Sequence, residues 1–387
     1  MSSIGTETAF EAAARARELE ATGRDVIHLE IGEPDFDTPA NIREAAKRAL
    51  DQGWTHYGPA IGLPQLREAI AADARVRKGF PAEAANVVVT PGAKPIMFYA
   101  LLALVEEGDE VIYPDPGFPI YESMTRYVGG TPVPVVLREE NDFRMDPDEL
   151  RSLVTDRTRL IIFNTPHNPT GGVLTLDDIT AIADVARERD IVVLADEIYG
   201  RIMYEGEFHS IAALPDMIER TIVLDGFSKT FAMTGWRLGY GILPRALVPT
   251  FSTLIINSVS CTNAFAQIGA IEALTGPQEA VEAMVEEFRA RRTLIVEGLN
   301  RIPGIRCRMP SGAFYAYPNV AGTGLPGPEL ADRLLYDGGV CVLAGTAFGH
   351  SSPDHLRISY ANSQANLRRA LERIEQVVSQ IPAPARA

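Results

Sequence analysis

Short apolar runs alternate with helical patterns along the middle of the chain. Several of the runs are apolar on both faces, as expected for buried parallel strands. Amphipathic helices are predicted between them, among them residues 94–107 and 176–189, the second with Thr175 as its N-cap. Seven runs rich in Val and Ile are predicted strands, at residues 86–89, 110–113, 133–137, 160–163, 191–194, 221–224 and 238–242. This alternation predicts an α/β fold with a mostly parallel, doubly wound sheet.

The two ends of the chain have a different pattern from its middle. Long amphipathic helices are predicted at residues 282–299 and 363–379, and short strands at 26–31, 306–317 and 340–343. We therefore expect a smaller α+β domain built from both chain ends. The expected division is 1–45 for its N-terminal segment, 46–285 for a large domain, and 286–387 for its C-terminal part.

The charge balance narrows the possible partners. The chain has 387 residues, of which 36 are basic and 51 acidic, so its formal net charge is −15. This argues against a nucleic-acid partner, because binding a polyanion needs a cationic surface. A cleft can still be locally positive on an acidic protein and bind a small anion.

No membrane, secretion or metal signal stands out. The longest apolar run, residues 95–105, is about half the length that spans a bilayer. The N-terminus lacks the basic start and apolar core of a secretory signal, so a cytoplasmic protein is expected. Three well-separated cysteines and six scattered histidines predict neither a disulfide framework nor a metal site.

The polar residues with candidate chemistry follow the apolar runs, where ligands bind in sheets of this kind. Residues 226–240 read GFSKTFAMTGWRLGY, so Lys229 lies in a turn after a buried strand, with Arg237 eight residues later. Residues 194–199 read LADEIY, and Asp196 ends a very apolar strand. A buried lysine or carboxylate is unfavourable unless it is paired or used in chemistry. Taken alone, Lys229 could still be a surface lysine and Asp196 a helix N-cap.

These segments, in this order, resemble the class I/II aminotransferases, which are fold-type-I pyridoxal-phosphate enzymes and include bacterial aspartate and broad-specificity aminotransferases. The resemblance runs from about residue 24 to 375. It makes residues 46–285 the cofactor-binding domain and implies pyridoxal 5'-phosphate as cofactor. It implies that Lys229 forms the Schiff base and then moves the substrate's α-proton. It also implies that Asp196 pairs with the pyridine nitrogen, that Tyr199 donates to the 3-oxygen, and that Arg237 binds the phosphate.

The other implied site residues lie in shorter motifs. In NTPHNPTG (164–171) Asn168 matches the donor to the cofactor's 3-oxygen, and in TPGAK (90–94) Ala93 and Lys94 offer backbone amides to the phosphate. In PDPGFPIY (114–121) Phe118 matches the aromatic residue that stacks on the cofactor. Many relatives have serine, with a hydroxyl contact to the phosphate, where this chain has Gly226; Ser228, next to Lys229, is not assigned that contact. On the substrate side, the matching positions are Gly32 in IGEPDFDTP, Asn168, Lys94 towards a distal carboxylate, and Arg357 in HLRISYA for the α-carboxylate.

Tyr57 lies in WTHYGPAIGLP (54–64) and matches the tyrosine that reaches the phosphate of a neighbouring subunit. The resemblance therefore implies a homodimer with shared active sites.

The expected function is transfer of an amino group between an L-amino acid and a 2-oxo acid. Glutamate/2-oxoglutarate or aspartate/oxaloacetate is expected as one substrate pair. Lys94 favours acidic substrates, whereas Phe118 also suits aromatic or broad specificity. Two alternatives stay open from the residues: a lyase that catalyses β-elimination on the same scaffold, and a regulator that binds the cofactor without catalysis. The regulator would need a DNA-binding module, for which the chain leaves no room before residue 31.

Overall fold

The computed structural model of the chain describes residues 8–382. The expected small domain begins at residue 1 and ends at residue 387, so its first seven and last five residues lie outside that span. The expected lack of a secretory signal rests partly on the same first residues. Its helices are α1 (Thr8–Ala21), α2 (Ala40–Asp51), α3 (Pro64–Arg77), α4 (Lys94–Leu104), α5 (Ile120–Tyr127), α6 (Pro147–Leu153), α7 (Leu176–Glu188), α8 (Val248–Ser258), α9 (Ala264–Thr275), α10 (Glu279–Arg301), α11 (Gly327–Tyr336) and α12 (Gln364–Ser379). Its strands are β1 (Ile27–His28), β2 (Val87–Thr90), β3 (Glu110–Asp115), β4 (Thr131–Val136), β5 (Thr158–Asn164), β6 (Val192–Asp196), β7 (Thr221–Gly226), β8 (Gly239–Ile242), β9 (Tyr315–Ala316), β10 (Val340–Cys341), β11 (Leu343–Ala344) and β12 (Leu356–Ser359).

Seven strands form one large sheet in the order β2-β8-β7-β6-β5-β3-β4. Neighbouring strands are parallel except at β8, which runs antiparallel to both β2 and β7. Each of the seven predicted strands corresponds to one of these. The predicted α/β fold with a mostly parallel sheet is therefore confirmed.

Both faces of the large sheet are covered, which explains why its strands are so apolar. Along β5, Leu160 and Ile162 join one buried hydrophobic cluster, while Ile161 and Phe163 join another. Residues of α4, α8 and α10 share the first cluster, and residues of α6 and α7 share the second. Because successive side chains point to opposite faces of a strand, alternate residues of β5 belong to different layers. The two-sided burial read from the sequence follows from this arrangement.

The predicted helix starts are largely accurate. Thr175 accepts from the backbone N–H of Asp178, and Asp178 in turn accepts from Thr175, so α7 begins with a capping box. Ser363 caps α12 by accepting from the backbone of Asn366. Helix α10 begins three residues earlier than predicted, at Glu279, and ends at Arg301.

Strands from the two chain ends share smaller sheets. Strand β1 pairs in parallel with β10, and β11, β12 and β9 form an antiparallel sheet of three. Helices α10, α11 and α12 pack against these short strands. The division of the chain at residues 45 and 286 stays a prediction.

The prediction of a strand at 306–317 is wrong, since only Tyr315–Ala316 is a strand there. Residues 311 and 312 instead donate their backbone N–H groups to the carbonyl of Gly171. This docks the segment on the turn after β5 rather than on a neighbouring strand. Pro310 lies against the same glycine, where a Cβ would come within 2.3 Å of the proline ring.

No helix within residues 8–382 combines the length and the apolar composition needed to cross a bilayer. The cytoplasmic location expected from the sequence stays a prediction.

Candidate active site

The carboxyl ends of five strands of the large sheet converge on one cavity of about 500 Å³. The small sheets complete its wall with residues that follow β1 or lie on β9 and β12. Ten of the eleven site residues predicted from the sequence line this cavity: Gly32, Ala93, Lys94, Phe118, Asn168, Asp196, Tyr199, Lys229, Arg237 and Arg357. The eleventh, Tyr57, is 91% exposed and lies outside the cavity wall. The fold thus brings distant motifs to one place, as expected at the carboxyl edge of such a sheet.

Arg237 and the start of α4 form a compact positive site. A Cβ added to Gly92 would lie 2.4 Å from Nη2 of Arg237, so the guanidinium rests directly on the glycine backbone. Gly92 has a φ of +83°, and Arg237 itself adopts a left-handed φ of 51°. The Arg237 Nη1 donates to the carbonyl of Thr234 at 2.7 Å, which orients the guanidinium. With Ala93 as the N-cap of α4, this is a natural anion site.

Lys229 projects into the cavity from the turn after β7. Its Nζ donates to the backbone carbonyl of Gly32 at 2.5 Å, which links the large sheet to the N-terminal segment. Ser228 also lines the cavity. At Gly226 a Cβ would meet the Gly239 Cα at 3.0 Å and the Leu238 carbonyl at 3.2 Å. A side chain at position 226 would therefore lie tightly against the backbone of residues 238 and 239.

Asp196 ends β6 as a buried carboxylate. Its Oδ2 accepts from the Tyr121 hydroxyl at 2.7 Å, and Oδ1 accepts from the Ile198 backbone at 3.3 Å. Burial raises the pKa of Asp196 to about 6, and the hydrogen bond from Tyr121 opposes that rise. Tyr121 is fully buried and was not singled out from the sequence, although it ends the quoted segment PDPGFPIY.

Asn164 braces two of the predicted site residues at once. Its side-chain Nδ2 donates to the Asp196 carbonyl at 2.8 Å, and its Oδ1 accepts from the Asn168 backbone at 2.7 Å. Asn168 in turn accepts from Nη1 of Arg357 at 3.2 Å. Asn164 was quoted in the motif NTPHNPTG but given no role, and its contacts make it the link between β5, β6 and the following turn.

Arg357 is 4% exposed and lies between two aromatic rings. Its guanidinium carbon is 4.6 Å from the ring centre of Tyr315 and 4.8 Å from that of Phe348. It also donates to the backbone carbonyl of Glu30. These contacts hold the planar guanidinium in one orientation, which suits two-point binding of a carboxylate.

Tyr199 is buried and its hydroxyl lies 2.7 Å from that of Tyr315. Burial, with a smaller contribution from Tyr315, raises the pKa of Tyr199 well above its ordinary value. Tyr199 therefore keeps its proton at neutral pH and can act as a hydrogen-bond donor. At another part of the wall, the Lys94 ammonium lies 5.4 Å from the ring centre of Phe118.

An α/β sheet whose carboxyl edge gathers a lysine, a buried carboxylate and two arginines in one cavity is the architecture of the fold-type-I aminotransferases. The chain belongs to the family "Aminotransferase class I and II", whose model matches residues 24–374. The chain is thus an aminotransferase, and enzymes of this family use pyridoxal 5'-phosphate.

Known proteins that clearly resemble this chain are also aminotransferases. The chain is 44% identical to an aspartate aminotransferase of Pyrococcus horikoshii, covering 92% of this chain and 91% of that one. It is 42% identical to aromatic-amino-acid aminotransferase 2 of Thermococcus litoralis, covering 92% of each. Among solved structures, the aspartate aminotransferase of Thermus thermophilus with maleate matches with a TM-score of 0.93 at 39% identity, covering 97% of both chains.

Proposed function

We propose that this aminotransferase uses pyridoxal 5'-phosphate in the cavity described above, with Lys229, Asp196 and Tyr199 as its catalytic groups. The observation that carries the proposal is the presence in one cavity of a lysine amine, a buried carboxylate and two separately held arginines. A phosphate and an α-carboxylate each need their own cationic site, and Arg237 and Arg357 supply them.

The residues present fit the cofactor. The Gly92 turn leaves no room for a Cβ, because the Arg237 guanidinium occupies that space. The Arg237 guanidinium and the first backbone amides of α4 together form a binding site for the phosphate. Ala93 and Lys94 supply backbone N–H groups to it. Asp196 supplies a buried negative charge for a protonated pyridine nitrogen, and Asn168 and Tyr199 supply donors for the 3-oxygen. Phe118 supplies an aromatic face for the ring.

When bound, pyridoxal 5'-phosphate supplies an aldehyde for the amino group and a ring that withdraws electrons from the substrate α-carbon. Arg357 binds the α-carboxylate and so fixes the direction of the α C–H bond. Lys229 removes the α-proton and delivers it again within the same site. Asn168 and Gly32 complete the substrate wall near these groups.

We further propose glutamate/2-oxoglutarate or aspartate/oxaloacetate as one substrate pair. Lys94 lines the cavity and offers a cation for a second carboxylate. The relatives include both aspartate and aromatic aminotransferases, so aromatic donors are part of the same proposal.

Replacing Lys94 with methionine is expected to separate the two donor classes. Methionine keeps the length and apolar body of the side chain but removes its charge. We expect kcat/KM to fall about tenfold or more for aspartate and glutamate, and to change less than about threefold for phenylalanine and tyrosine. A panel of amino donors measures this, with 2-oxoglutarate as acceptor for every donor except glutamate, which is paired with oxaloacetate. An equal loss for all donors would show that Lys94 acts on the cofactor side alone. Ammonia and pyruvate formed without an acceptor would instead reveal β-elimination.

We also propose that the enzyme is a homodimer in which Tyr57 serves the neighbouring active site. Tyr57 lies outside the cavity of its own chain and is 91% exposed, so its ring is open to contact by another chain. A second copy of the chain would supply its contact.

Hybrid dimers test this shared site. Tyr57→Phe alone is expected to weaken cofactor binding about tenfold, because one hydrogen bond to a charged group is lost. In hybrids of Tyr57→Phe with Lys229→Ala chains, one site combines an intact Lys229 with the partner chain's intact tyrosine. That site should bind the cofactor with wild-type affinity, measured by titration and borohydride fixation. Unrestored affinity in the hybrid would contradict the shared site.

A further inference from the structure

Tyr315 contacts three of the residues assigned above, although nothing in the sequence singled it out. It lies on β9, is 1% exposed and lines the active-site cavity. Its hydroxyl is 2.7 Å from that of Tyr199, and its ring supports the Arg357 guanidinium at 4.6 Å. A Cβ on Gly32 would lie 2.0 Å from the Tyr315 hydroxyl oxygen, so only glycine lets the N-terminal segment close over it.

The direction of the Tyr199–Tyr315 hydrogen bond follows from the proposed role of Tyr199. A phenol has one proton to donate. If Tyr199 donates its proton to the cofactor's 3-oxygen, its own oxygen is left as the acceptor for the Tyr315 proton. A hydroxyl that accepts a hydrogen bond becomes a stronger donor. Tyr315 therefore strengthens the donor that Tyr199 presents.

The ring of Tyr315 has a separate task. Its face holds the guanidinium of Arg357, which Phe348 supports at 4.8 Å. Cation–π contact of this kind is favourable and is strengthened by burial. One side chain thus touches both the arginine proposed for the substrate carboxylate and the tyrosine proposed for the cofactor.

We propose that Tyr315 is a positioning residue that joins the two halves of the site, its hydroxyl supporting Tyr199 and its ring orienting Arg357. This rests on the proposed function. The two tasks belong to different atoms of one residue, so two substitutions separate them.

Tyr315→Phe removes the hydroxyl and keeps the ring. The pH midpoint at which the visible absorbance of the bound cofactor changes should rise by about half a unit, since the 3-oxygen loses part of its donor. We expect kcat to fall severalfold, while KM for the amino acid stays within about twofold. Tyr199→Phe is the positive reference and should move the midpoint further in the same direction.

Tyr315→Leu removes the ring as well. The midpoint should rise as in Tyr315→Phe, and KM for the amino acid should increase about tenfold as the guanidinium loses its support.

Tyr360→Phe is the matched control. Its hydroxyl is buried, donates to the Ala313 carbonyl at 3.2 Å, and lies outside the cavity wall. The pH midpoint of the cofactor absorbance and the KM for the amino acid should both stay at their wild-type values. If Tyr199→Phe moves the midpoint but Tyr315→Phe does not, the role of Tyr315 is overturned while the proposed function stands. If wild-type enzyme with cofactor shows no visible band, the proposed function itself fails.

Discussion

Lys229→Ala is expected to lower transamination at least about 10³-fold, because it removes both the covalent anchor and the group that moves the α-proton. The effect is chemical rather than structural. Lys229 lies in a turn at the cavity wall and donates to the backbone carbonyl of Gly32. The fold should therefore survive the change, with circular dichroism and thermal unfolding close to the wild type.

Borohydride reduction gives a readout independent of turnover. In the wild type it should fix the cofactor to the peptide that contains Lys229, as seen by peptide mass, and in the variant it should fix none there. Lys229→Arg keeps the positive charge and much of the volume but provides no suitable amine, so it should fail equally. Lys47→Ala removes an exposed lysine paired with Glu44 and should retain full activity. Wild-type turnover by Lys229→Ala would refute the assigned role.

Much of the fold could be predicted because burial leaves a simple signature. Strands β5, β6 and β7 lie inside a sheet covered on both faces, so their central residues, 160–163, 192–195 and 222–224, are all apolar. The short strands gave weaker signals. Residues 306–317 have strand-like composition, but Pro310 and Gly312 dock on the turn at Gly171, and this long-range contact leaves no local mark in the sequence.

The residues of the candidate site also differ in how clearly the sequence reveals them. A charged residue at the end of an apolar strand stands out, which is how Asp196 and Lys229 were found, and the family resemblance then supplied their expected roles. Two further contacts come from far along the chain: Tyr121 donates to Asp196, 75 residues away, and Tyr315 contacts Tyr199, 116 residues away. A buried tyrosine in an apolar segment resembles ordinary core until its hydroxyl partner is known.

Asp196→Asn is expected to lower activity about 10²- to 10³-fold and yet to stabilise the cofactor-free protein at neutral pH. The loss of activity follows from the lost negative charge opposite the pyridine nitrogen, an electrostatic effect of the size seen when one preorganised group is removed. The gain in stability follows from burial. The pKa of Asp196 is raised to about 6 in the folded state, against an ordinary value near 3.8, so ionisation is unfavourable when the protein is folded.

The sign of the pH dependence is set by proton binding. Between about pH 4 and 6 the folded state holds more protons on Asp196 than the unfolded state, so the wild type loses stability from this group as the pH rises. Above pH 6 the penalty is complete, at about 3 kcal/mol. Asparagine has no such penalty. Its single oxygen can still accept from Tyr121 at the cost of the longer hydrogen bond from the Ile198 backbone, and the penalty of about 3 kcal/mol outweighs that loss. In urea unfolding of both cofactor-free proteins, the free energy of unfolding of the variant should exceed that of the wild type most at pH 7–8. The difference should shrink towards pH 4.

A matched substitution distinguishes this behaviour from a general effect of removing a carboxylate. Asp178 is also buried, but it caps α7 and pairs with Arg144 at 2.8 Å. Asp178→Asn should therefore destabilise the protein at pH 7–8 while leaving kcat near its wild-type value. If Asp196→Asn were destabilising over the same pH range, the carboxylate would be part of the structural framework. A variant that is more stable and far less active instead marks Asp196 as a charge held in the core for catalysis, against the preference of the fold.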